Sequence, residues 1–115
     1  MFNHMVEHTL YLDRVFKALG DPVRRDILAA LKAGPLSVGD LAEPHAISFA
    51  GISKHIGVLE EAGLLQREKR GRERLCSLKA EPLRQAEAWL ADYAAFWSGR
   101  LDALEQELKK EVGDG

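Results

Sequence analysis

From positions 46 to 65 the chain reads AISFAGISKHIGVLEEAGLL, and its polar side chains are spaced for hydrogen bonding to another molecule. Ile52, Ile56 and Leu59 recur at i, i+4 and i+7, which predicts a helix with one buried stripe. Ser53, Lys54 and His55 lie off that stripe, as does Gly57. A hydroxyl, an ammonium and an imidazole side by side supply donors and acceptors for phosphate oxygens and base edges. Lys54 suits phosphate as a flexible point charge. Ser53 suits either target, and His55 either a base acceptor or a phosphate. Ser48 stands where its oxygen can cap the first turn, and a helix N-terminus also attracts phosphate, so both roles are open to it. Gly51 and Gly57 each cost about 1 kcal/mol relative to alanine inside a helix. Close approach of the backbone to a ligand, tight packing and tolerated slack are the readings open to them. Gly63 is expected to end the helix in the left-handed conformation.

A second polar feature follows at once. Arg67, Lys69, Arg70, Arg72 and Arg74 crowd eight positions against Glu68 and Glu73. Residues 64–70 and 73–79 read as two strands, with Gly71 and Arg72 near the turn. Arg70 and Arg72 flank that turn and suit a minor groove or phosphates, and Arg67 and Lys69 suit phosphates. The net charge of −2 does not by itself favour a polyanionic partner. Its distribution does: residues 1–79 carry 12 Lys and Arg against 10 Asp and Glu, whereas residues 80–115 carry 4 against 8.

Other elements must position these groups. A first helix is expected over 7–19, with Leu12, Val15, Phe16 and Leu19 on one face and Gly20 at its end. Asp21 and Pro22 open the next helix as N-cap and first residue, with Val23, Ile27, Leu28 and Leu31 inward. Arg24 and Arg25 on it suit phosphate or pairing with Asp21 or Asp26. Ser37 and Asp40 resemble a capping box for a short third helix that Pro44 limits. Two short helices joined by a turn and followed by a basic hairpin make a mainly α fold with a small β-hairpin, a winged helix-turn-helix. Its DNA-reading core is expected at about 21–79, within a single domain spanning 1–115.

The last helix, expected over 81–112, carries more apolar surface than one small core needs. Leu83, Leu90, Trp97 and Leu104 recur every seven residues, flanked by Ala94, Leu101 and Leu108, with Tyr93, Trp89 and Phe96 widening the stripe. A symmetric second copy is the commonest partner for such a surplus. The interface would take Leu12 and Phe16 from the first helix and Leu83, Leu90, Tyr93, Trp97, Leu101 and Leu104 from the last. The alternative is that the aromatics pack on the first helix of the same chain.

Several classes are disfavoured. No apolar run approaches the ~20 residues that span a bilayer, so no membrane partner is expected, and the first residues do not read as a secretory signal. A single cysteine, Cys76, fits a reducing cytoplasm. It also opens a redox-sensor reading, with Arg74 nearby to favour the thiolate. His4 and His8 share a helical spacing but lack a third metal ligand. No phosphate loop or nucleophile elbow appears, and no catalytic residues, cofactor or metal are expected.

With these pieces in place the chain resembles the ArsR-type winged helix-turn-helix transcriptional regulators. The match is carried by FKALGDPVRRDIL at 16–28, LSVGDLA at 36–42, residues 48–65 and the hairpin to Leu78. The resemblance implies a homodimer built from the first and last helices, with residues 48–62 in the major groove of double-stranded DNA. It implies wing contacts beside the groove and a repressor that occludes a promoter. Many metal-sensing members carry a cysteine pair where this chain has Ser37 and Gly39, and others use histidines in the last helix, where residues 80–115 have none. Neither serine nor glycine is a thiolate ligand, so the resemblance is to the metal-independent type, with no inducing ligand indicated. Relatives often have glutamine just after the capping serine; here Phe49 stands there. Phenylalanine cannot pair with adenine, but it can meet a thymine methyl group or turn into the core. The competing class is a dimeric protein-interaction scaffold without DNA binding.

Overall fold

The computed structural model describes residues 2–113, with side chains described for 11–96 and 98–110. The side chains of the His4–His8 pair and of Trp97 lie outside what is described, as do residues 1, 114 and 115. Five helices and three strands follow in the order α1 (Phe2–Leu19), α2 (Pro22–Ala30), β1 (Leu36–Ser37), α3 (Val38–Ala42), α4 (Phe49–Glu61), β2 (Leu65–Arg70), β3 (Glu73–Leu78) and α5 (Glu81–Gly113).

Local chemistry sets most of the boundaries. Asp21 caps α2, its carboxylate accepting from the N–H groups of Val23 at 2.8 Å and Arg24 at 3.3 Å, with Pro22 in the first turn. The α-helix stops at Ala30, and a tighter 3-10 turn over Leu31–Ala33 carries the chain to Gly34. Ser37 caps α3 by accepting from the Asp40 N–H at 3.1 Å. Ser48 caps α4 by accepting from the Gly51 N–H at 3.0 Å. At the far end of α4, Gly63 turns to φ 75°, and the Leu64 N–H reaches back to the Leu59 carbonyl at 2.9 Å. That is the bond of a Schellman cap, and only glycine takes its φ at no steric cost.

Three differences from the sequence reading concern length and one concerns topology. Helix α1 begins at Phe2, five residues earlier than expected. The wing strands are trimmed by one residue each, and α5 runs one residue further than expected, to Gly113. More important, the hairpin is part of a three-stranded antiparallel sheet in the order β1-β3-β2. Leu36 pairs with Cys76 and Ser37 with Leu75. A two-residue strand has no readable alternation, so periodicity could not reveal β1.

The core lies between α1, α2, α3, α4 and the base of the sheet. Val15, Ile27, Leu31, Leu41, Ile52, Ile56, Leu59, Leu64 and Cys76 are buried within it, and Ala86 of α5 joins them. Burial of apolar surface, at roughly 25 cal/mol per Å² removed from water, is what holds so small a set of elements together. Among the described residues, helix α5 packs on α1 near its start, with Ala86 buried and the Trp89 ring beside Phe16. From residue 87 to residue 110 every described side chain is exposed.

Candidate nucleic-acid interface

Helix α4 presents three faces. Residues advance about 100° each around an α-helix. The inner face carries Ile52, Ile56 and Leu59, all at 0% exposure. Phe49 and Ser53 lie on the flank toward the wing, and both line a cleft with Ser37, Arg67, Arg72 and Arg74. His55 lies on the opposite flank, toward α2. Between the flanks the outer face holds Ala50, Lys54 and Gly57, small except for one flexible cation. A Cβ added to Gly57 would meet nothing within 4 Å, so tight packing does not explain that glycine. At Gly51 an added Cβ would stand 3.4 Å from the Ser48 oxygen, also without a clash.

The α2 flank contains an arrangement that the sequence reading missed. Arg24 donates through Nε to the Ala18 carbonyl at 2.7 Å and through its second terminal nitrogen to the Lys17 carbonyl at 3.0 Å. Its remaining terminal nitrogen lies 3.2 Å from Nδ1 of His55. Arg25 donates to the Leu19 carbonyl at 2.8 Å. The two arginines therefore cap the end of α1 and do not pair with Asp21 or Asp26 as the sequence reading allowed. The last carbonyls of a helix lack intrahelical donors, and cations at that end also meet the helix dipole favourably. Asking where those carbonyls find donors would have pointed to the arginines. A guanidinium has no acceptor, so Nδ1 of His55 must accept, which places the ring proton on Nε2. Asp21 lies close by. Desolvation pushes its carboxyl up, but the Arg24 and Val23 N–H groups and the charge of Arg24 prevail and hold it below its ordinary value.

On the wing side, Arg67 is committed within the chain. It donates to the Glu60 carboxylate at 2.9 Å, tying β2 to the last turn of α4. That hydrogen bond holds the Glu60 carboxyl below its ordinary value. Arg70 stands 3.9 Å from Glu68, with both side chains largely in solvent. Among the described residues, Lys54, Lys69, Arg72 and Arg74 have no ion-pair partner. Gly71 turns the hairpin at φ 61° and leaves Arg72 exposed at its tip.

Other sequence expectations resolve simply. Phe49 does not turn into the core; it is 62% exposed. Cys76 is fully buried, and burial pushes its thiol up from the ordinary value, against the weaker pull of Arg67. A buried, protonated thiol is inert, which removes the basis for the redox reading. Among the described residues no group of three or more His, Cys, Asp or Glu side chains is placed to hold a metal ion. Among the described residues no helix is long and apolar enough to cross a membrane.

Of the residues considered for an intersubunit contact, Leu12 is buried, and Phe16 and Leu83 pack against the core of their own chain. The Phe16 ring lies 5.4 Å from Trp89, which stands 4.7 Å from Tyr93. Leu90, Tyr93, Leu101 and Leu104 are about half exposed or more.

Known proteins share this architecture. A family described as a helix-turn-helix domain matches residues 19–68. The chain is 35% identical over 82 residues to the transcriptional repressor SdpR of Bacillus subtilis, covering 71% of this chain and 91% of that protein. It is 34% identical over 102 residues to the HTH-type transcriptional regulator Rv2034 of Mycobacterium tuberculosis, covering 89% and 92%. The crystal structure of the ArsR family transcriptional regulator RHA00566 superposes with a TM-score of 0.73 at 39% identity, over 78% of this chain and 93% of that one. The capped helix pair, its basic wing and these likenesses lead to one conclusion: the chain belongs to the ArsR family of winged helix-turn-helix, DNA-binding transcriptional regulators.

Proposed function

We propose that this protein is a homodimeric repressor that occupies an inverted-repeat operator in the cytoplasm and blocks a promoter, without catalysing a reaction. The observation that carries the reading is the cleft between α4 and the wing, which Ser53 lines with Arg72 and Arg74. Lys54 on the outer face of α4 and Lys69 on the wing stand exposed beside these groups, and Lys54, Lys69, Arg72 and Arg74 have no ion-pair partner among the described residues.

In this reading α4 enters the major groove, and Ser53 and Lys54 meet phosphates or base edges. His55 presents Nε2–H as a donor while Arg24 occupies the other ring nitrogen. Arg70 and Arg72 reach the flanking backbone or minor groove, with Lys69 adding a phosphate contact. Ser48 and Gly51 let the helix end approach the backbone closely. Arg67 serves chiefly to hold the wing against α4 through Glu60. The second copy would cover the exposed apolar row of α5 at Leu90, Tyr93, Leu101 and Leu104. The similarity to a named repressor supports repression as the outcome.

Selection from a random DNA pool with purified protein, near physiological salt, tests this directly. A two-fold dimer enriches an inverted repeat with half-sites about 34 Å apart, one helical turn. Enrichment of single half-sites, or a monomer in sedimentation, overturns the dimer. No retention even at low salt overturns DNA binding and favours the protein-interaction scaffold.

A further inference from the structure

Phe49 occupies the first helical position of α4, immediately after the Ser48 cap. The N-terminal residues of a recognition helix are the ones that reach base edges. At 62% it is the most exposed of the large apolar side chains described, and apart from Ile47, in the turn just before α4, the others lie on α5. No element of the chain covers the ring, yet its surroundings are not those of an apolar protein contact. It lines a cleft with Ser53, Arg67, Arg72, Glu73 and Arg74. Arg67 is taken up by Glu60, but Arg72 and Arg74 outnumber Glu73 and have no ion-pair partner among the described residues, so the cleft suits an occupant that is anionic along its edge and apolar at one spot. Duplex DNA meets both demands, because the C5-methyl of thymine is the one apolar group that base edges present in the major groove. A phenyl ring has no hydrogen bond to offer adenine, guanine or cytosine, so discrimination by Phe49 must be by that methyl.

We propose that Phe49 is a specificity-determining residue that reads the thymine methyl group at one base step of each half-site. The inference rests on the DNA-binding reading above and adds the chemical feature that the N-terminus of α4 recognises. The ring needs no rearrangement to do so, since it is already exposed and the cap fixes the backbone that carries it.

The test uses the full-length protein and the duplex enriched from the random pool, with each thymine replaced in turn by deoxyuridine, which deletes only the methyl. Wild-type protein should bind about fourfold more weakly per half-site at one position, the factor equivalent to roughly 0.8 kcal/mol for one buried methylene-sized group. Phe49→Ala should bind the thymine and deoxyuridine duplexes equally, and Phe49→Leu should retain part of the difference. Because Phe49 is exposed, both variants should melt as the wild type does. Equal wild-type affinity for every deoxyuridine duplex overturns the inference, and so does a methyl effect that survives in Phe49→Ala. Failure of the wild-type protein to bind any duplex overturns the DNA reading itself and is distinguished by that.

Discussion

Helices α4 and α5 are both amphipathic, yet they end in opposite circumstances. The apolar stripe of α4 closes inside its own chain, with Ile52, Ile56 and Leu59 fully buried. The stripe of α5 leaves the core after Ala86, and Leu90, Tyr93, Leu101 and Leu104 stand exposed. The difference teaches that helical periodicity reports a face destined for burial but not what buries it. Helix α4 sits among α2, α3 and the sheet, which supply the complementary surface. Helix α5 outruns every element of the domain that could cover it. A 33-residue helix is about 50 Å long at 1.5 Å per residue, far beyond the reach of so small a core.

Substitutions on the two stripes should therefore fail in different ways. The largest effect is expected from Ile56→Ala, which leaves a cavity in the core and should cost about 2–5 kcal/mol of folding free energy, read by denaturant melts. An unchanged midpoint would mean that the α4 stripe is not the core. Leu101→Glu should leave monomer stability within about 0.5 kcal/mol, as exposed substitutions do. It should instead shift sedimentation to the monomer and weaken binding to an inverted repeat tenfold or more. Loss of helix signal in that variant would show that α5 depends on contacts within its own chain.

A smaller effect sharpens the contrast between the flanks of α4. Arg24→Lys keeps the charge but loses the fork that joins two α1 carbonyls to His55. Its operator affinity should fall several-fold while affinity for random DNA holds, because the tautomer of His55 is no longer enforced. A uniform loss on both DNAs would assign Arg24 to phosphate instead.

The smallest effect concerns the Glu60–Arg67 pair. Surface pairs contribute about 0–1 kcal/mol. Glu60 sits below its ordinary value in the folded protein, so the pair's contribution is present above that ordinary value and is lost as pH falls through the lowered one. Glu60→Gln should thus be slightly less stable than the parent near neutral pH and equal to it in acid. A gap that persists in acid would mean that the pair does not account for the difference. Release of Arg67 in the same variant should tighten binding to random DNA at low salt.

Much of the DNA-reading region was legible before any coordinates. Asp21, Ser37, Ser48 and Gly63 each act within a few residues of themselves, and the structure shows three of them as N-caps and the fourth as the glycine past the end of α4. The stripe on α4 and the turn at Gly71 were readable for the same reason. The missed features join residues distant in sequence. Strand β1 exists because Leu36 and Ser37 meet Cys76 and Leu75. Arg24 meets His55 across 31 positions, and it lacks a signature because a guanidinium can satisfy carbonyls, phosphates or carboxylates alike.

The sequence by itself determined the order of the helices, the capped ends of α2, α3 and α4, the buried faces, the basic wing and the family, since caps, periodicity and motif spacing are local. Only the tertiary structure decided that Arg67 serves Glu60, that Arg24 governs His55, that Cys76 is inert and that Phe49 faces outward. Those outcomes depend on which groups the fold brings within hydrogen-bond or contact distance and which it leaves in water, and one-dimensional spacing does not encode that.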